Sequence, residues 1–119
     1  MYKDILLPVD LGEESSWNKA LPTALELATA FSCRLHLMTV VPDFGSASVA
    51  SYFPKDFEKQ ALAGANSALH AFSKAHVPTG VTVQHIVAHG TVYEQILACA
   101  KQIGADLIVM GSHRPALKD

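Results

Sequence analysis

Two short apolar runs, one near each end of the chain, constrain the fold more than any other feature. Ile5-Leu6-Leu7-Pro8-Val9 and Leu107-Ile108-Val109-Met110 lack the polar alternation of a strand with one wet face. Runs of that kind suit parallel strands covered on both sides by helices. Leu107 to Met110 reads as a buried central strand, and Pro8, which cannot donate to a sheet ladder, marks where the first strand stops pairing. Each run ends on residues able to meet a ligand: Asp10 after the first, and Gly111, Ser112, His113 and Arg114 after the second. The missing side chain of Gly111 either lets a ligand approach the backbone or simply opens a turn. Ser112 adds a hydroxyl, and His113 and Arg114 add two candidate cations.

Helical spacing fills the intervals. Ser15 or Ser16 offers an N-cap, with Glu13 and Glu14 favourable near a helix start, and Trp17, Leu21, Ala24, Leu25 and Ala28 continue to about Phe31. Pro22 either kinks that helix or moves its start closer to itself. Arg34 to Val41 is the second strand, stopped by Pro42, and Asp43 to Phe53 is the longest irregular stretch. A helix from Lys55 to about His76 ends at Pro78-Thr79-Gly80, and Val81 to Ala88 alternates as an edge strand does. Thr91 and Gly104 bracket a last helix as N-cap and C-cap. The order β-α-β-α-β-α-β requires right-handed crossovers and an α/β, doubly wound parallel sheet with helices on both faces. Precedent for such folds gives the strand order 3-2-1-4, which would set the Asp10 and Gly111 strand ends across a crevice.

Composition narrows the function classes. The 119 residues carry a formal charge of −2, without the concentration of Lys and Arg that a nucleic-acid or anionic-membrane surface requires. No apolar run is long enough to span a bilayer, and the start lacks the pattern of a signal peptide, so the expected location is the cytoplasm. Cys33 and Cys99 lack metal-ligand spacing and read as reduced, buried thiols. His85 and His89 share a strand face, but at strand rise their Cα atoms stand about 13 Å apart, too far for easy chelation. Ser15 and Ser16 lack a G-x-S-x-G context, and no P-loop lysine or general base is visible.

Several motifs together resemble the universal stress protein family, UspA-like. They are Lys3-Asp4-Ile5-Leu6-Leu7-Pro8-Val9-Asp10, the close of the second strand on Val40-Val41, the Gly90 turn before Tyr93-Glu94-Gln95-Ile96, and Ala105 through Ser112. The ending Gly111-Ser112-His113-Arg114-Pro115 is similar to that of the small single-domain members of the UspF and UspG kind. The resemblance covers essentially the whole chain and implies one domain over residues 1–119 that lacks the family's C-terminal helix and fifth strand. It also implies an ATP-binding regulatory module, often a homodimer, with nucleotide at the carboxyl ends of strands one and four. Pro8, Val9 and Asp10 would line the nucleoside end, Val40 would flank adenine, and Met110 and Gly111 would begin the phosphate loop. Val40 and Met110 can sandwich a flat base by dispersion, and Asp10 can accept from a ribose hydroxyl, approach a phosphate-bound Mg²⁺, or merely cap the following turn.

The chain departs from the ATP-binding pattern at Arg114, which stands where the second loop glycine is expected. Its charge would compensate for a lost backbone contact or its bulk would block the loop. His113 would hydrogen-bond a phosphate or ribose, or face solvent. The alternative function is a nucleotide-free stress protein that uses the same fold for dimerisation and partner binding. A flavin carrier on a similar sheet comes third.

Overall fold

The computed structural model describes residues 2–42 and 56–111. The irregular stretch from Asp43 to Phe53 and three candidate site residues, Ser112, His113 and Arg114, lie outside them. The elements are β1 (Asp4–Pro8), a 3-10 turn (Glu14–Ser16), α1 (Ala20–Phe31), β2 (Arg34–Pro42), α2 (Phe57–His76), β3 (Thr82–Gly90), α3 (Val92–Ile103) and β4 (Leu107–Ile108). All strand pairs are parallel, and the sheet runs β3-β2-β1-β4, as expected from the alternation of elements.

The two faces of the sheet bury different partners. Ile5 and Leu7 of β1, Val9 just beyond it, and Leu35 and Leu37 of β2 point toward α1 and α2, where Ala24, Ala28, Leu69 and Phe72 complete the larger core. Leu6 and Met38 point the other way, onto Ile96 and Cys99 of α3. The unalternating run Ile5-Leu6-Leu7 follows from this, because all three side chains are fully buried on alternating faces. His36, also buried, lies in the sheet with its Nε2 2.9 Å from Asp4 Oδ1.

Three local readings are corrected. Helix α1 starts at Ala20, not at the serines; of the two outcomes open for Pro22 the second holds, the start having moved toward it so that it sits in the first turn, where a missing N–H is tolerated. Ser16 caps no helix: its Oγ accepts from Asp10 N–H at 2.9 Å and donates to Asp10 C=O at 3.1 Å, folding the turn back on the strand end. Trp17 consequently leaves the helical stripe and packs edge-on against Phe72 of α2. Finally, β4 is a two-residue edge strand rather than a buried central one, with Leu107, Ile108 and Val109 half-buried and Met110 58 % exposed. Its burial depends on a neighbour beyond it, and the described sheet ends there.

Cys33 is a core thiol that donates to Tyr2 C=O at 3.0 Å; burial above all, then the charges of Asp106 and Asp4, push its pKa up, which keeps it unreactive. Asp106 staples the two ends of the chain together. Its Oδ2 accepts from the backbone N–H groups of Lys3 and Asp4 at 2.8 and 2.9 Å, bonds that hold its carboxyl below the ordinary 3.8. A depressed carboxylate contributes stability above its unfolded pKa and loses it as pH falls through the folded value. Asp106→Ala is therefore expected to lower the melting temperature at neutral pH and to flatten the acid limb of the melting curve below about pH 4. Thermal melts of both proteins from neutral to strongly acid solution check this.

Candidate functional site

The carboxyl edge of the sheet opens a cleft where β1 and β4 part. In a parallel ladder alternate residues face opposite neighbours. On the β4 side the last rung is Val109 N–H to Leu6 C=O at 2.9 Å. The next residue of β1 facing that way is Pro8, which has no N–H, so pairing ends there. On the β2 side β1 continues one rung further, through Val9 N–H to Met38 C=O at 2.7 Å. Val40, two residues beyond Met38, turns its own N–H and C=O toward the side that β1 has left. A donor and an acceptor thus stand side by side on the rim.

The chain leaves β1 through α1 on one face and enters β4 from α3 on the other, the switch in direction that opens a crevice in doubly wound sheets. The cleft has a volume of about 250 Å³ and is lined by Pro8, Val9, Asp10, Ser16, Met38, Val40, Pro42, Val92, Ile96, Met110 and Gly111. Six expected site residues, Pro8, Val9, Asp10, Val40, Met110 and Gly111, therefore share one cavity. Sequence reasoning missed five others: Ser16, Met38, Pro42, Val92 and Ile96. Available signals were the common strand face of Met38 and Val40 and the i, i+4 spacing of Val92 and Ile96 on α3.

Asp10 both builds the turn and lines the cleft. Its Oδ1 accepts from Gly12 N–H at 3.1 Å, and its C=O accepts from Glu13 N–H at 2.9 Å, so the capping role foreseen for it is real. The carboxylate nonetheless stays exposed at the cleft wall, the one charged group among the described lining residues. Gly111 has a different cause from either reading of the sequence. A Cβ there would lie 2.2 Å from Ser16 C=O oxygen and 2.9 Å from that of Ser15, so the strand end and the β1–α1 turn meet backbone to backbone. On the far side of this contact a second depression is lined by Ser15, Asn18, Lys19 and Thr23, and shares Met110 and Gly111 with the cleft.

Chemically, this is a slot with mainly apolar walls, a backbone donor and acceptor on one rim and a carboxylate on another. It suits a flat heterocycle bearing hydroxyls. The histidines of β3 stand away from it: His85 stacks on His70 of α2, and His89 Nδ1 lies 2.9 Å from Glu58 Oε2. Among the described residues no three potential ligands are placed to hold a metal ion, and no helix is long and apolar enough to cross a membrane.

A parallel sheet in this order, with helices on both faces and a cleft at its switch point, defines a Rossmann-like α/β fold. Comparison with known proteins then specifies the family. The model of the universal stress protein family matches residues 1–119, and the chain belongs to that family. Universal stress protein G of Escherichia coli O157:H7 is 31 % identical over 121 residues, covering 98 % of this chain and 83 % of the relative. The structure of universal stress protein UspA from Lactobacillus plantarum is similar with a TM-score of 0.72 at 23 % identity, covering 98 % of this chain and 83 % of that one. A universal stress protein solved in complex with cAMP has a TM-score of 0.58 at 21 % identity, covering 99 % of this chain and 77 % of that one.

Proposed function

We propose that this chain is a stress-response module that binds an adenine nucleotide, ATP with Mg²⁺, in the cleft at the ends of β1 and β4. The reading rests on one observation: Val40 presents a backbone donor and acceptor beside its own side chain, with Met110 and Asp10 lining the same cavity. Adenine offers a matching acceptor and donor on its Watson–Crick edge, and Val40 and Met110 supply apolar contacts to its faces. Asp10 accepts from a ribose hydroxyl or contributes to a Mg²⁺ held by the phosphates, for which one carboxylate suffices. The donor set fits the ion, since Asp10 commits only Oδ1 to the turn. When bound, the ion neutralises phosphate charge beside that carboxylate. The complex of a family member with cAMP supports an adenine nucleotide as the ligand class.

The module acts in the cytoplasm as a homodimer and performs little or no catalysis, binding serving instead to shift a partner or subunit interface. Val92, Tyr93 and Leu97 on α3 are 50 %, 72 % and 49 % exposed, and this apolar ridge favours the second reading, a nucleotide-free protein that acts by partner contacts.

Calorimetric titration with ATP and Mg²⁺ separates the two. The wild type is expected to bind saturably, and Asp10→Ala to bind roughly tenfold or more weakly, the cost of a charge-assisted hydrogen bond. An absence of binding by the full-length wild type would leave the partner-binding reading in its place.

A further inference from the structure

Four of the six histidines gather along α2 and its contacts: His70 and His76 on the helix, and His85 and His89 on β3. The rings of His70 and His85 stack with centroids 3.8 Å apart and planes 16° from parallel. The side-chain Nε2 of His85 is buried without a hydrogen-bond partner. From β2 the same side of the sheet receives Leu35 and Leu37, which offer a new charge nothing. Toward the start of α2, Glu58 meets His89 at 2.9 Å, and toward its end His76 packs on Trp17. The lysines of α2, Lys59 and Lys74, are exposed.

From this arrangement we infer that the seam between α2 and β3 is an acid-sensitive latch, closed while the stacked histidine pair holds at most one proton and released when it must hold two. A stack of one imidazolium on one neutral ring is stable, whereas two cations less than 4 Å apart in a half-dry seam repel. Burial first, and the neighbouring His70 second, lower the pKa of His85 below the ordinary 6.5. The sign follows directly. Opening frees His85 to bind a proton at its ordinary value, so the open state takes up one proton more and gains on the closed state as pH falls below 6.5. The Glu58–His89 contact, at 2.9 Å, ties the start of α2 to β3. Release would uncover Leu69 and Phe72, both buried in the closed state, and would remove Phe72 from Trp17, which follows the cleft residue Ser16. Acidification is thereby converted into an exposed apolar face, independently of whether nucleotide is bound.

Amide hydrogen exchange from pH 7.5 to 5, corrected for intrinsic rates, tests the latch on the full chain. In the wild type, protection of the middle of α2 and of β3 is expected to fall by up to tenfold per pH unit, the slope of one linked proton. Protection of β1 and β2 should hold. His85→Phe keeps a stacking ring that does not titrate and should abolish the pH dependence, and His85→Gln, which also removes the titrating group, should do the same if His85→Phe fails to fold. Wild-type protection that is level with pH, a loss that spreads in step through β1 and β2, or a slope that survives in the folded variant would each overturn the proposal.

Discussion

Replacing Gly111 by alanine is expected to cost this protein both stability and its cleft. The added Cβ would stand 2.2 Å from the carbonyl oxygen and 2.6 Å from the carbonyl carbon of Ser16, neither of which belongs to a side chain that can swing away. Ser16 is also tied to Asp10 by two hydrogen bonds, so displacing the turn displaces the cleft wall. Overpacking of this kind costs about 1–3 kcal/mol. Nucleotide affinity should fall at least roughly tenfold, about the effect of 1.4 kcal/mol misplaced at the site. Gly64 supplies the control: a Cβ there meets nothing within 4 Å, and it lies inside α2. Gly64→Ala should raise stability by about 0.5–1 kcal/mol and leave binding unchanged. Melting curves and ATP titrations of the two variants check the contrast, which separates backbone contact from generic intolerance of alanine.

The second large effect is expected at Leu7. Its side chain is fully buried in the larger core, opposite Leu37 in the ladder, one residue before the proline that ends β1. Leu7→Ala should remove about 3 kcal/mol, through lost burial and the residual cavity. For a domain of this size that lowers the melting temperature by about 10 °C. Chemical denaturation at 25 °C should show a lower midpoint with an unchanged slope, since surface exposed on unfolding is nearly the same. Because Pro8, Val9 and Asp10 continue from Leu7, ATP binding by the remaining folded protein should weaken less than stability does.

The architecture was legible because its causes are local or topological. Ile5-Leu6-Leu7 could only be a strand buried on both faces, and alternation with helical stripes left a parallel sheet as the economical arrangement. The strand order came from precedent, and the observed pairing of β1 with both β2 and β4 agrees with it. What sequence reasoning missed was non-local. Glu13, Glu14, Ser15 and Ser16 carry the chemistry of a helix start, but a 3-10 turn satisfies the same groups, and Ser16 finds better partners in Asp10. Nothing near Gly111 announces that the carbonyls of Ser15 and Ser16, nearly a hundred positions earlier, occupy the space of its missing side chain. The last apolar run looked central because apolar content reports burial only when neighbours exist on both sides, and among the described residues β4 has one. The pairing of His70 with His85 was likewise invisible, since spacing along one strand says nothing of the helix laid across it.

On the function proposed above, nucleotide occupies the cleft between the ends of β1 and β4. The most direct test of that placement is a map of backbone amide chemical shifts in the isotopically labelled full chain during titration with ATP and Mg²⁺. Saturable shifts are expected to concentrate at Val9, Asp10, Val40, Met110 and Gly111, with β3 and the middle of α2 little changed. Shifts centred elsewhere, or a spectrum unchanged at saturating nucleotide, would contradict that placement.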